Sequence, residues 1–214
     1  MGQWGKWCLA IAAAMGLGTA TTAAELEISL YSGTQSAPSS SIDSAASGKD
    51  TVDWEGRSAE EPPYYGLRAT WWQNERWGWG VEVNHAKVYA DDPGDYGYER
   101  LEFTDGLNFV TANVFRRWQR ANSRVTPYVG AGIGVSIPHV DLKPIGGDHT
   151  FGFQVTGPVV QWVAGASYAL DDRWSVFGEY KGTWSRHDVD LDSGGNLETE
   201  LQTNALNIGI SRKF

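Results

Sequence analysis

The sequence predicts an all-β fold, an eight-stranded antiparallel up-and-down transmembrane β-barrel of the bacterial outer membrane. Three observations carry this prediction. Beyond residue 24 the chain alternates apolar and polar residues over eight stretches, each long enough to match or exceed the roughly 9–11 residues a tilted strand needs to cross a bilayer. Short polar connections, QNER, QRANSRV and LDDR, take turns with four longer ones rich in Gly, Ser, Pro and Asp. Aromatic residues gather beside the short connections, with Trp71, Trp72, Trp77 and Trp79 falling within nine positions. Short turns at one end, long loops at the other and rings at the margins are the marks of such a barrel. No run of about 18 apolar residues follows residue 24, so a transmembrane helix is excluded.

Residues 1–24 read as a signal peptide. Lys6 supplies the positive start, WCLAIAAAMGL is an apolar run too short to span a bilayer, and TATTAA offers small residues before cleavage after Ala24. Cys8 precedes most of the apolar run, which argues against a lipoprotein site. The mature chain then has no cysteine, excluding a disulfide framework and a thiol nucleophile. Residues 25–214 are expected to form the single barrel domain. With Lys6 removed, 16 basic residues stand against 26 acidic ones, a charge of −10 that disfavours nucleic acid as a partner.

The predicted strands are 25–34, 64–74, 77–89, 106–118, 126–138, 151–169, 174–188 and 197–214. An even count puts both ends of the barrel domain on the periplasmic side. Parity assigns the faces. In the fifth strand Val129, Ala131, Ile133, Val135 and Ile137 oppose Gly130, Gly132, Gly134 and Ser136. In the sixth, Val160, Trp162, Ala164, Ala166 and Tyr168 oppose Gln161, Gly165 and Ser167. In the seventh, Trp174, Val176, Tyr180 and Trp184 oppose Ser175, Glu179, Lys181 and Thr183. A file of glycines on the polar face suits a narrow lumen, so the apolar faces are expected to meet lipid. The competing reading, apolar faces around a soluble core, is not separable by alternation alone. The last strand breaks its parity around Asn204, where a bulge or a misplaced boundary is expected.

The aromatics fall into two expected girdles. Trp71, Trp72, Trp77, Trp79, Trp118, Tyr168 and Trp174 belong to the periplasmic one. Tyr31, Tyr64, Tyr65, Tyr89, Phe151 and Trp184 belong to the outer one. The chain ends ALNIGISRKF, with Leu206, Ile208, Ile210 and Phe214 on one parity. This resembles the C-terminal signature of bacterial outer-membrane proteins and implies the outer-membrane assembly machinery as a partner through the strand ending in Phe214. Arg212 departs from the signature at a position that is usually apolar.

The lumen should hold Arg68, Glu82, Asn84, Asn113, Gln161, Glu179, Lys181 and Asn207. Buried charges need partners, so Arg68 with Glu82 and Glu179 with Lys181 are expected to form a network. Its readings are a structural plug, a proton relay or a narrow pore. All four histidines, His85, His139, His149 and His187, map to the external end among many aspartates. Imidazoles with carboxylates are ligands for a divalent or redox-active metal ion, but the spacings match no metal motif, and solvated loop histidines are the plain alternative. A serine hydrolase is disfavoured: Ser136 lies near His139 and Asp141 in sequence without a geometry that makes a triad. GAGIG lacks the helix that makes a phosphate loop. External cations, Arg57, Arg68, Lys87, Arg100, Lys143 and Arg186, meet lipid phosphates or are ordinary loop charges.

The stretches WEGRSAEEPPYYGLRATWW, WGWGVEVNHAKVYADD, LEFTDGLNFVTANVFRRW, TPYVGAGIGVSIPHV, TGPVVQWVAGASY, DDRWSVFGEYKGTWS and LETELQTNALNIGIS together resemble the rhizobial outer-membrane lipid A oxidases and their relatives, which are similar in architecture to OmpA/OmpX-type barrels. The resemblance implies an oxygen-dependent oxidation of the proximal glucosamine of lipid A to an aminogluconate unit with release of hydrogen peroxide. It implies lipid A, or lipopolysaccharide, as the partner. It supplies no catalytic residues. By position, His85, Lys87, Asp105 and His139 are the candidates for acid–base work, and His85 with His139 for a metal. No cofactor fingerprint is present. The alternative expectation is a non-enzymatic OmpA/OmpX-like surface barrel serving envelope integrity or recognition.

Overall fold

Fifteen strands run through residues 25–103 and 105–214, which the computed structural model describes; the expected signal peptide lies outside the described residues. In chain order they are β1 (Glu25–Ser36), β2 (Ser40–Ser44), β3 (Gly48–Val52), β4 (Trp54–Glu55), β5 (Tyr65–Trp72), β6 (Trp77–His85), β7 (Val88–Ala90), β8 (Tyr98–Phe103), β9 (Phe109–Arg117), β10 (Val125–Ser136), β11 (His139–Pro144), β12 (Thr150–Phe153), β13 (Gly157–Ala169), β14 (Trp174–Asp190) and β15 (Asn196–Lys213). Eight of them, β1-β5-β6-β9-β10-β13-β14-β15, pair antiparallel in that order, and β15 returns to β1 to close the barrel. Closure leaves no sheet edge within the barrel.

The wall alternates as parity requires. Along β10 every second side chain from Val125 to Val135 points outward, and Ile133 is 62% exposed. Outward apolar residues from neighbouring strands, such as Val81, Val114, Val176 and Ile208, make a continuous exposed apolar belt that only lipid satisfies. Inside, Gly132 leaves the space that Asn113 fills, and Gly130 leaves the space of the Phe115 ring.

The expected long loops are sheet. β12-β11-β8-β7-β4 form a second, five-stranded sheet, and the β2–β3 hairpin extends β15. This shifts several predicted boundaries: residues 86–89 leave the third predicted strand, 106–108 the fourth and 151–156 the sixth. Alternation misled the boundaries because this upper part has an interior of its own. Ile42, Val88, Leu101, Phe103, Val140, Leu142, Leu197 and Leu201 pack there as one apolar core. The polarity therefore inverts along the barrel axis, polar within and apolar without in the belt, apolar within and polar without above it.

That inversion corrects the bulge expected at Asn204. The β14–β15 register runs unbroken from Trp174↔Arg212 to Asp190↔Asn196. The outward residues change from Leu206, Ile208 and Ile210 to Glu198, Glu200 and Gln202 because the same strand leaves lipid and enters water. Four girdle assignments also change. Trp72 turns inward, under the Arg117 guanidinium at 3.9 Å. Tyr31 is buried with its hydroxyl donating to Glu82 at 2.6 Å. Tyr64 belongs to the upper core, and Tyr89 is buried beneath Arg57. Trp71 and Trp79 stack at 4.6 Å, and Trp77, Trp118, Tyr168 and Trp174 are exposed near the short turns, as a girdle needs.

Candidate functional site

Two groups of polar residues compete for a functional role, one inside the barrel and one on its outer wall. Inside, Arg68 on β5 donates from Nε to Glu82 on β6 at 2.6 Å, and from Nη1 and Nη2 to the two carboxylate oxygens of Glu179 on β14 at 3.0 and 2.8 Å. Lys181 donates to Glu82 and Tyr31. Tyr128 and Asn207 donate to Glu179 at 2.7 and 3.2 Å. All four expected charges thus join one network, though the carboxylate that Lys181 meets is Glu82 rather than Glu179. Two cations and two anions balance there, and each carboxylate is held by several donors, which is how buried ions are tolerated. Below the network a cavity of about 60 Å³ opens toward the short turns between Arg68, Trp72 and Arg117. Above it lies the apolar core. This lumen is a bolt flanked by packed side chains, with room for a few waters and no more.

The outer wall carries the other group. His85 ends β6 on the outward parity, stacked on Tyr65 with ring centroids 5.2 Å apart. His139 opens β11 between the rings of Phe151 and Phe153, at 4.5 and 4.7 Å. Residues Asp105–Asn108 form the turn that links them. Gly106, at φ 89, can approach the His85 ring because it has no Cβ. Its carbonyl accepts the backbone N–H of His139 at 3.0 Å. Asn108 Oδ1 bonds His85 Nδ1 at 2.9 Å. Asp105 stands 3.6 Å from His139 Nδ1, too far for a hydrogen bond but within ion-pair reach of a protonated ring. The sequence-chosen His85, Asp105 and His139 therefore share one turn. Asn108, Tyr65, Phe151 and Phe153 complete the surroundings; Tyr65 and Phe151 were expected as girdle aromatics, and the turn chemistry of DGLN is the sequence signal for Asn108.

Lys87 sits apart from this turn. It is fully buried, and its ammonium donates to the carbonyls of Glu60 and Glu61 at 3.3 and 3.4 Å. Burial pushes its pKa below the usual lysine range, opposed by Glu60, Asp105 and Glu102. It anchors the segment before β5 over the wall.

Two nitrogens in this group, His85 Nε2 and His139 Nδ1, are buried without a hydrogen-bond partner among the described residues. Orphaned polar atoms of this kind mark sites as often as they mark strain. A metal needs more than these two. Among the described residues no group of three or more His, Cys, Asp and Glu comes together to hold one, so the donors do not fit a resident metal with three protein ligands.

The remaining histidines have other duties. His149 bonds Asp141 at 2.6 Å, and Arg100 donates to the other oxygen of Asp141 at 2.8 Å. His187 lies fully buried between Thr156 Oγ1 and Ser185 Oγ, both at 2.8 Å. It stands on β14 above Trp184, beyond the lipid belt, and burial holds its pKa down to about 3. Ser185 and His187 resemble half a catalytic pair, but a hydroxyl takes the place of the carboxylate and neither is accessible. Ser136 spends its hydroxyl on the Leu107 carbonyl at 2.8 Å, which removes it from any triad with His139.

Exposed apolar residues border the His139 group. Phe151, Phe153 and Val155 are 61%, 65% and 71% exposed along the open edge of the second sheet. The group therefore faces sideways, at the upper margin of the lipid belt, rather than into the lumen.

Comparison with known proteins agrees with this architecture. The family described as "Outer membrane protein beta-barrel domain" matches residues 9–214. No curated protein matches the sequence. Among solved structures, the chain is similar to the outer membrane protein AlkL in lipid bilayers, with a TM-score of 0.54 at 13% identity over 96% of this chain and 97% of that one. It is similar to Neisserial surface protein A, with a TM-score of 0.51 at 16% identity over 89% and 97%. It also resembles OprG from Pseudomonas aeruginosa, with a TM-score of 0.51 at 16% identity over 90% and 96%. At these identities the likeness is one of fold.

Proposed function

Because the chain belongs to the outer membrane β-barrel domain family and is integral to the outer membrane, we propose that it works at the outward wall of its outer rim, as an oxygen-dependent oxidase of lipid A. The observation that carries this reading is the position of His85, Asp105 and His139. They share one turn on the lateral surface beside exposed Phe151 and Phe153, where an outer-leaflet lipid would place its sugar above and its chains below. The reaction itself comes from the resemblance of the sequence to the lipid A oxidases. The proximal glucosamine gives two electrons and two protons to dioxygen, which leaves as hydrogen peroxide, and water opens the oxidised sugar to the aminogluconate unit.

In this scheme His139 is the proton acceptor, with the Asp105 carboxylate 3.6 Å from its Nδ1. His85, fixed by Asn108 and Tyr65, is the second imidazole of the site. Lys87 is a positioning residue that holds the neighbouring segment in place.

The test is the mass spectrum of lipid A from a Gram-negative host that lacks such an activity, grown with and without oxygen while expressing the chain. An oxygen-dependent gain of one oxygen atom on the proximal sugar supports the oxidase. An unchanged spectrum, with folded barrel in the outer membrane and a competent substrate, favours the second reading, a non-enzymatic surface barrel. What supports that second reading is the upper part of the barrel, whose packed apolar core, five-stranded second sheet and β2–β3 hairpin form a firm external platform.

A further inference from the structure

The periplasmic rim differs in charge from the rest of the barrel. Charge is distributed very unevenly along this barrel. Among the described residues the external part has six basic and nineteen acidic side chains, the lumen network two of each, and the periplasmic turns and strand ends eight basic and five acidic. A strongly acidic protein thus turns a basic end toward the periplasmic leaflet.

Within that end the cations are arranged, not scattered. Arg116 lies on the outward face of β9, opposite Trp77 on β6. Its guanidinium sits 5.2 Å from the Trp77 ring and 5.3 Å from the Trp118 ring, between two indoles of the girdle. Arg76 and Arg120 join it around an open groove of about 570 Å³. None of these three has a carboxylate within ion-pair distance among the described residues. Glu75 is the one acidic residue of the groove, and Arg117 beside it is already paired with Glu25 at 3.1 Å.

The same device recurs on the closing strand. Arg212 lies between Trp174 at 5.3 Å and Phe214 at 4.8 Å, and its Nε is buried without a hydrogen-bond partner. This is the residue that departs from the apolar pattern of the C-terminal signature. A guanidinium at headgroup level, backed by rings and short of an acceptor, fits a phosphodiester in both charge and geometry.

We propose that the periplasmic rim binds anionic phospholipid, with the phosphate in the groove of Arg76, Arg116 and Arg120 and a second headgroup at Arg212. The rings orient each guanidinium, and the acyl chains of the lipid run up the apolar belt past Val114 and Val129, which flank Arg116 along and across the strands.

Native mass spectrometry of the full mature chain tests this, using detergent micelles doped equally with phosphatidylglycerol and phosphatidylcholine of one chain length. Phosphatidylglycerol adducts should exceed phosphatidylcholine adducts, and Arg76→Gln with Arg116→Gln should cut phosphatidylglycerol retention by about tenfold or more. Arg100→Gln, a cation of the external part, should leave it unchanged. Equal retention of the two lipids, or full retention in the double variant, overturns the proposal. So does displacement of the lipid by millimolar glycerol phosphate, which would make the groove a site for free anions. If the double variant fails to show the folded band on unheated gels, Arg116→Lys decides: it keeps the charge but not the guanidinium between the rings, and retention should fall severalfold, whereas unchanged retention would sink the clamp.

Discussion

Arg68 reaches across the lumen to Glu179 with two parallel hydrogen bonds, at 3.0 and 2.8 Å, and so ties β5 to β14 on the far side of the barrel. These residues are 111 positions apart in sequence. The fork geometry uses both carboxylate oxygens of Glu179 and leaves Nε for Glu82, so a single guanidinium bridges two buried anions while Lys181 supplies the second positive charge.

Removing that guanidinium strands Glu179 and leaves Glu82 with Lys181 as its one cation. Arg68→Met should therefore destabilise the folded barrel by about 3–5 kcal/mol, the usual result of breaking a buried ion pair from one side. Urea unfolding in detergent, followed by the heat-dependent gel shift, measures this. The double change Arg68→Met, Glu179→Gln should recover much of the loss, because it leaves Lys181 paired with Glu82. A single variant as stable as the parent would mean that the lumen is wet enough to solvate the carboxylates.

The glycine file sets a steric limit. A Cβ at Gly132 would overlap Asn113 Oδ1 and the Ala112 carbonyl, and the backbone cannot yield without opening the β9–β10 ladder. Gly132→Val should abolish the folded band on unheated gels. Ala131→Val, one residue away and facing lipid, should leave it intact. Equal folding of the two would refute the facing assigned by parity.

His187 predicts a pH dependence. Its folded pKa of about 3 lies below the ordinary histidine value of 6.5, so between these values the unfolded chain binds a proton that the folded one refuses. Stability is then complete above pH 6.5 and falls as the pH drops toward 3, by about 2 kcal/mol at pH 5. His187→Gln keeps a polar group between Thr156 and Ser185 without a titrating ring. Comparing urea midpoints of both proteins from pH 7.5 to 4.5 should show a steeper acid loss in the parent; parallel curves would contradict a neutral buried ring.

The rim site makes its own prediction. His85→Ala and His139→Ala should each remove lipid A oxidation while the barrel still folds and reaches the outer membrane. His187→Gln should keep full activity at neutral pH, because that ring is sealed from the surface. Undiminished turnover in both alanine variants would discard the site while leaving the oxidase reading to another part of the wall.

The number of barrel strands, the end that bears the short turns and the four charges of the central network are legible in the sequence, whereas Glu27 and Arg117, which line the cavity below it, were not foreseen as lumen residues. The legible features follow from a period of two under two solvents, which any outward-facing Val or inward-facing Glu obeys locally. Trp72 shows where local reading stops: it sits among girdle tryptophans in sequence, yet parity at the strand end and the Arg117 guanidinium turn it inward. The upper sheet was equally hidden, because Trp54, Leu101 and Leu142 are single apolar residues in loop-like stretches until three separate connections fold over one another. The same holds for the partner of Lys181, which is Glu82, 99 residues away, rather than its sequence neighbour Glu179. The alternation of side chains determined which residues face the lumen and which face lipid; only closure of the barrel decided which of them meet, since pairing across a lumen is set by strand order and register and no short stretch of chain encodes either.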